Sequence, residues 1–392
     1  MLSMALMVIG FSSCGHKSVS MNDEPEEYNN TTFVLKLNTV NRYSTRTDVE
    51  DQEKIKTLRI VITDATDKTD KVEINQYFSD VSGRDFYTDS ENEYIIQGVT
   101  PGKKNVYIFA NEESVTDISW TYTGDWGVKD LHDLLEGANN NPDNFGDHIN
   151  SVTFFLNQNN IYINGLPYSS NYKNIDVIKG KRNEYTFYLV PVATKFRLNF
   201  YNYRNQAVTL SNLNFSSIAN KNYLIAHIGE LDYNKSLPGE SEKKYWIDWL
   251  HEISNESWNY GDQIWNEWFN SRYGWITEYS LPEYTPHNPI DLMDGTNINV
   301  PKNTNPQTPD PIITRYFPES QYNTNNNVYK LEMQIDGAPV SSTSFPFPDL
   351  HLFRNTFVDL DIIFSQKENA DIIIKYTVCP WYPSEEVNIR FD

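Results

Sequence analysis

Cysteine is nearly absent. Two in 392 residues are too few for a disulfide scaffold or a Cys-based zinc site. Basic charge is scarce as well: Lys and Arg total 32 against 53 Asp and Glu, a formal net charge of -21. A chain this acidic repels phosphate backbones, which excludes nucleic acid as a partner. Glycine stands at 17, and the Gly-rich phosphate fingerprints do not occur. The seven His are scattered without ligand spacing. After His251-Glu252, Asn255 stands where an H-E-x-x-H zinc helix requires its second His. No G-x-S-x-G elbow is present. Asp and Glu are spread so evenly that no pair stands out as general acid and base. These absences point to a protein that is not an enzyme, with no cofactor and no bound metal. What the chain does have is aromatic mass: 14%, with 26 Tyr, 20 Phe and 9 Trp. That favours strands and supplies a core. At roughly 150 residues per domain, the length suits two domains or one large one.

The only long apolar run is LSMALMVIGF (2–11), followed at once by Ser12, Ser13, Cys14 and Gly15. It has the length of a signal-peptide core and is too short to span a bilayer as a helix. Small residues running into a Cys resemble the lipobox of a bacterial lipoprotein, in which Cys14 is lipidated and becomes the new N-terminus. Phe11 stands where Leu is commoner. No basic segment precedes the run, which suggests a start further upstream. Residues 1–13 are therefore read as a signal peptide. Residues 14–30, polar and acidic, are read as a tether. Its cluster Asp23, Glu24, Glu26 and Glu27 reads equally as a surface-export mark or as a solvated linker. The acyl chains would be the only membrane contact.

The folded part opens on TTFVLKLNTV (31–40). There Phe33, Leu35 and Leu37 alternate with Val34, Lys36 and Asn38, the period of a half-buried strand. A polar stretch, NRYSTRTDVEDQE (41–53), reads as an exposed loop, and KTLRIVIT (56–63) as a second strand. Further strands are expected at 94–99, 105–110, SVTFFLN (151–157), IYINGLPY (161–168), across 186–203 about Pro191, and at FVDLDIIF (357–364). KDLHDLLEGA (129–138) reads as helical and 138–150 as loop. ADIIIKYTVC (370–379) is apolar on both faces and is expected to be central or covered on both sides. Cys379 within it reads as a buried, inert thiol. EVNIRF (386–391) closes the chain.

Six of the nine Trp, namely Trp246, Trp249, Trp258, Trp265, Trp268 and Trp275, crowd into one segment. Aromatic platforms can hold sugar rings. The helical spacing of Trp246, Trp249, Leu250 and Ile253 favours core packing instead. Two acid-containing stretches, 140–148 and 291–295, lack EF-hand spacing for calcium.

Four patterns occur in an order that resembles the fimbrillins, the lipoprotein pilins of Bacteroidota. A lipobox Cys and a tether lead into one strand. The Arg-bearing loop NRYSTR then precedes KTLRIVIT. PGKKNVYIFANEES carries a Pro-Gly turn into a strand ending in Ala-Asn. RNTFVDLDIIF precedes DIIIKYTVCPWYPSEEVNIRF, which resembles the terminal strand pair. The middle, from about 236 to 345, shows no such resemblance. The resemblance implies a mainly β fold of two transthyretin-like β-sandwich domains with few short helices. Their expected spans are 31–185 and 186–392, the second carrying the irregular Trp/Pro/Asn-rich insertion. It also implies assembly. An Arg-specific surface protease cuts after Arg42 or Arg46. The first strand (Phe33, Leu35, Leu37) leaves with the lipid anchor. The C-terminal segment of another subunit then fills the opened groove, here Val387, Ile389 and Phe391. Cutting at Lys54, Lys56 or Arg59 would intrude on the second strand. The implied partners are other fimbrial subunits, the protease, and a host or bacterial surface ligand. The alternatives are an anchor or tip subunit, or a glycan-binding surface lipoprotein that never polymerises.

Overall fold

The computed structural model describes residues 31–40, 49–66, 69–88, 92–120, 129–138, 144–216, 218–227, 246, 247, 250, 251, 290–293, 295–302, 308–320, 329–339, 343–345, 352–365 and 372–381. Of 343–345 and 377–380 it describes the backbone. Cys14, Arg42, Arg46, Val387, Ile389 and Phe391 lie outside the described residues, as does the side chain of Cys379.

The chain is mainly β. The first half contributes β1 (Thr32–Thr39), β2 (Leu58–Asp64), β3 (Val72–Phe78), β4 (Glu93–Ile96), β5 (Gly102–Ala110), β6 (Thr153–Phe154), β7 (Tyr168–Val177) and β8 (Arg182–Pro191). Between β5 and β7 come three short helices, α1 (Leu131–Gly137), α2 (Phe145–Asn150) and α3 (Gln158–Asn164). The second half contributes β9 (Thr194–Asn202), β10 (Val208–Ser216), β11 (Asn222–Tyr223), β12 (Ile290–Asp291), β13 (Ile298–Val300), β14 (Ile312–Phe317), β15 (Tyr329–Ile335), β16 (Ala338–Pro339), β17 (Thr343–Phe345), β18 (Thr356–Phe364) and β19 (Ile372–Pro380).

The first sheet has the order β3-β2-β5-β7-β8-β1-β4. β7 and β8 pair only at Tyr168↔Pro191 and Ser169↔Val190, so the sheet can roll there into two layers. It does: Phe78 of β3 and Tyr94 of β4, from opposite ends of that order, meet edge to face at 5.0 Å. Across the fold line Tyr172 meets Phe187 at 4.8 Å. On the outer face Val61, Tyr107 and Phe109 pack under Leu131, Leu134, Phe145 and Ile149 of α1 and α2. The chain leaves this sheet after Pro191 and enters another at Thr194, so residue 186, the expected start of the second domain, lies within β8. The second half sets a four-stranded sheet, β14-β9-β18-β19, against a six-stranded one built on β10 and β15. Phe196 and Phe317 of the first meet Phe215 of the second at 5.2 and 5.3 Å, the interdigitated core of a β-sandwich.

Three sequence expectations differ from the structure. IYINGLPY begins as helix α3, because Asn157 caps its first turn, accepting from the backbone N–H of Asn159 and Asn160. Gly165, at φ 98°, ends it. Residues 145–150, expected as loop, form α2; the carboxylate of Asp70 accepts from Gly146 N at 2.8 Å. Among the described residues β19 is terminal in its sheet rather than central. Its three isoleucines alternate across the pleat, so Ile372 and Ile374 pack on the core and Ile373 stays 47% exposed.

The other end of that sheet is covered by side chains. The carboxamide of Gln158 in α3 accepts from Tyr316 N at 3.1 Å and donates to Tyr316 O at 2.5 Å. The Tyr162 hydroxyl donates to Thr314 O at 3.1 Å. A helix side chain thus stands where a neighbouring strand would pair, a common protection of an edge. Gln158→Ala should cost about 1–3 kcal/mol through the unpaired groups of Tyr316 and raise the aggregation rate. Chemical denaturation with light scattering checks both. A variant as stable and as soluble as the parent would deny Gln158 this role.

Candidate functional site

The site is the slot that β1 fills, together with the two ends of the loop that follows it. β1 runs parallel to β8 along its whole length and antiparallel to β4. Phe33, Leu35 and Leu37 stand in register with Asn183, Tyr185 and Phe187 and are fully buried. The Phe33 ring lies 5.8 Å from that of Tyr185 and 6.4 Å from that of Phe187. Val34, on the opposite face, is fully buried too. The alternation of this segment suggests one covered face and a sheet edge. The structure instead buries Val34 of the second face as well, leaves Lys36 and Asn38 partly exposed, and places β1 one strand in from the edge, behind the four-residue β4. Lys36 reaches Glu184 of β8 at 2.7 Å and Glu93 of β4 at 3.8 Å. The hydrogen bond from Lys36 holds the Glu184 carboxyl below the usual range. Such solvated pairs add little stability and serve register instead.

At the upstream end of the loop, Thr39 donates to Phe86 O through its N–H (2.8 Å) and its hydroxyl (3.2 Å), and Val40 N donates to Leu189 O at 2.9 Å. The downstream end resumes at Val49, which is buried, and passes into a 3-10 turn at Asp51–Glu53. That end is clamped by a charge. Lys195 of β9, 8% exposed, contacts Glu50 at 2.8 Å and Glu53 at 2.5 Å. Burial alone would push the ammonium down; the attraction of Glu53 and Glu50 outweighs it and raises the pKa above its ordinary value. Tyr316 donates to Glu53 Oε1 at 3.0 Å. Burial, reinforced by the Glu53 charge, drives its phenol well above the ordinary range. Glu53 O accepts from the hydroxyls of Tyr87 and Tyr168, and Leu166 N donates to Gln52 O.

The clamp also reaches the C-terminal end. Trp381, the last described residue, is buried, donates its backbone N–H to Asn355 O at 2.8 Å and stacks on Tyr316 at 5.8 Å. Lys195 Nζ lies 5.5 Å from its ring, a cation–π distance. The chain leaving the Arg-bearing loop and the chain entering the C-terminal tail therefore converge on one lysine. Sequence reasoning missed Lys195 and Glu53. The available signal was a cation, Lys195, inside the mostly apolar run VPVATKF.

Of the expected site residues, Phe33, Leu35 and Leu37 come together in the slot. In the Trp-rich segment Ile247 and Leu250 are buried and Trp246 packs on the same core. Among the described residues one group could share a cation by proximity: Glu112, Glu113 and His132. Its donors already have partners. Arg59 grips Glu112 at 2.8 Å, His132 Nδ1 lies 2.6 Å from Glu112, and Tyr77 donates to Glu113. No helix among the described residues is long and apolar enough to cross a membrane.

No model of a known protein family matches the chain, and no curated protein matches it. Among solved structures it is similar to the tip fimbrial protein Mfa3 of Porphyromonas gingivalis with a C-terminal truncation. The two share 13% identity over 90% of this chain and 99% of that one, with a TM-score of 0.49. It is also similar to a fimbrial assembly protein of Parabacteroides distasonis, at 11% identity over 89% and 95% of the two chains, with a TM-score of 0.44.

Proposed function

We propose that the chain is a structural subunit of a cell-surface fimbria, made as a lipoprotein, matured by an Arg-specific protease and polymerised by strand exchange, serving adhesion. The observation that carries this reading is the slot. β1 and the residue after it supply five fully buried apolar side chains, Phe33, Val34, Leu35, Leu37 and Val40. Yet no neighbour of β1 in the sheet is its neighbour in sequence. Only the loop after Val40 ties its C-terminal end to the rest. One cut there severs β1 covalently and leaves a slot whose walls are β8 and β4. An emptied slot offers unpaired backbone groups and bare apolar surface, both of which favour a replacement strand. The tail supplies a matching pattern, with Val387, Ile389 and Phe391 alternating with Asn388 and Arg390. A subunit whose tail enters the slot of the next makes a heterologous contact that does not close, which gives a filament. Cys14 would hold the precursor at the outer membrane until the cut. The other partners of this reading are sister subunits and a surface ligand. The two sandwich-like halves would form its two domains.

Limited trypsin digestion of the folded precursor tests the reading. The first cuts should fall after Arg42 or Arg46, giving new N-termini at Tyr43 or Thr47, because the downstream bank at residues 49–53 is held by the Lys195 clamp. N-terminal sequencing reads the outcome. First cuts confined to other loops would remove the maturation step.

A further inference from the structure

The insertion that has no counterpart in the fimbrillin resemblance touches the one strand that matters most to it. Trp246, Ile247, Leu250 and His251 are helical. Ile247 and Leu250 are 0% and 1% exposed and belong to the main core. His251 lies against the last residue of the first-strand segment: its Nδ1 is 2.9 Å from Val40 O. A carbonyl can only accept, so Nδ1 carries the proton and donates. The same imidazole stacks on Tyr188 of β8 at 3.8 Å between centroids and 14° between planes. Val40 is thereby held from two sides, by β8 through its N–H and by the insertion through its carbonyl.

We propose that Ile247, Leu250 and His251 of the insertion form a latch on the exit of β1, which sets how fast the severed strand leaves the slot. The proposal rests on the reading of β1 as a cleaved strand. The two ends of the loop are held differently. The downstream end is fixed by buried ion pairs to β9 and stays with the body. The upstream end is fixed by backbone pairing, by the Thr39 hydroxyl on Phe86 O, and by the hydrogen bond and ring stack of His251, each of which can break singly. A cut therefore does not itself empty the slot; the His251 contact must open as well. A latch of this kind keeps the apolar slot filled between cutting and the arrival of a replacement strand.

The experiment uses the full chain with residues 43–47 replaced by the recognition sequence of an unrelated site-specific protease. Release of β1 can then be followed whether or not Arg42 or Arg46 is the natural cut. After complete nicking, the N-terminal fragment is followed by size-exclusion chromatography and mass measurement. His251→Leu, which keeps bulk but loses the donor, should release the fragment about tenfold faster, the weight of one buried hydrogen bond. His251→Asn places an amide N–H near the position of Nδ1 but lacks the ring that stacks on Tyr188, and should restore most of the parent rate. A His251→Leu fragment that leaves at the parent rate, or a His251→Asn fragment that leaves as fast as that of His251→Leu, would overturn the latch. Should His251→Leu fail to fold, Ile247→Val trims the same segment's anchor and should still quicken release; an unchanged rate there overturns the proposal. Failure of trypsin to cut the parent loop would instead count against the maturation reading alone.

Discussion

A chain that begins at Thr47 should lose its cooperative unfolding transition and regain it when a synthetic peptide of residues 31–40 is added. The magnitude follows from burial. Phe33, Val34, Leu35, Leu37 and Val40 are all fully buried. At roughly 1.5–3 kcal/mol for each such side chain, the slot loses on the order of 10 kcal/mol with the strand. A domain's whole margin is about 5–15 kcal/mol. The loss of backbone pairing to β8 and β4 adds to this. The truncated chain alone should therefore melt early and broadly, or self-associate. The peptide rescues it by mass action, so the melting temperature should climb with peptide concentration. A peptide carrying Leu35→Asp should fail, because it brings an unpaired charge to a fully buried position. A truncated monomer that melts like the full-length chain, with no response to peptide, would show that β1 fills no essential slot.

The parts of this site differ in how far the sequence declares them. β1 is legible because Phe33, Leu35 and Leu37 fall on one parity and polar residues follow at once. Its interior position was hidden. Val34 reads as the minor partner in the alternation, and β4, which pairs along the strand's second side, arrives from some sixty residues downstream, outside any local window. β3 and β7 give little apolar periodicity in VEINQYF and YSSNYKNIDV, and the alternation of β10, VTLSNLNFS, is broken between Leu210 and Leu213 by a register shift. They are strands because β2, β5 and β15 pair with them, a tertiary effect that no local window carries. The isoleucine run of β19 misled for the opposite reason. Apolar residues on both faces suggest two covers, whereas the described sheet ends there. Of the clamp only Lys195 left a trace, a cation set in an apolar run; its pairing could not be read. Glu53 and Lys195 stand 142 positions apart, and a Glu in a polar loop gives no sign that it will be buried.

That clamp carries the second large effect. Lys195→Met should lower stability by about 3–5 kcal/mol, the usual result of leaving one member of a buried ion pair behind. Glu53 is 1% exposed and would keep its charge beside the Tyr316 hydroxyl without the facing ammonium. For a protein of this size the midpoint should fall on the order of 10 °C. The double variant Lys195→Met, Glu53→Gln removes both charges and should recover most of the loss, since well-packed neutral groups often replace a buried pair at little cost. pH gives an independent check with a fixed sign. The folded-state pKa of Lys195 lies above its ordinary 10.5, with burial pulling it down and Glu53 and Glu50 pulling harder the other way. Its contribution is thus fully present below the unfolded value and disappears as pH rises through the folded one. Parent and Lys195→Met should differ most at neutral pH and converge only in strong alkali. The structural consequence is local as well. With the clamp gone, residues 49–53 lose their tether to β9, so trypsin should cut after Lys54 as readily as in the Arg-bearing loop. A Lys195→Met variant that melts within about 1 kcal/mol of the parent, with its cleavage pattern unchanged, would mean that the downstream bank is held by its backbone contacts and not by this charge.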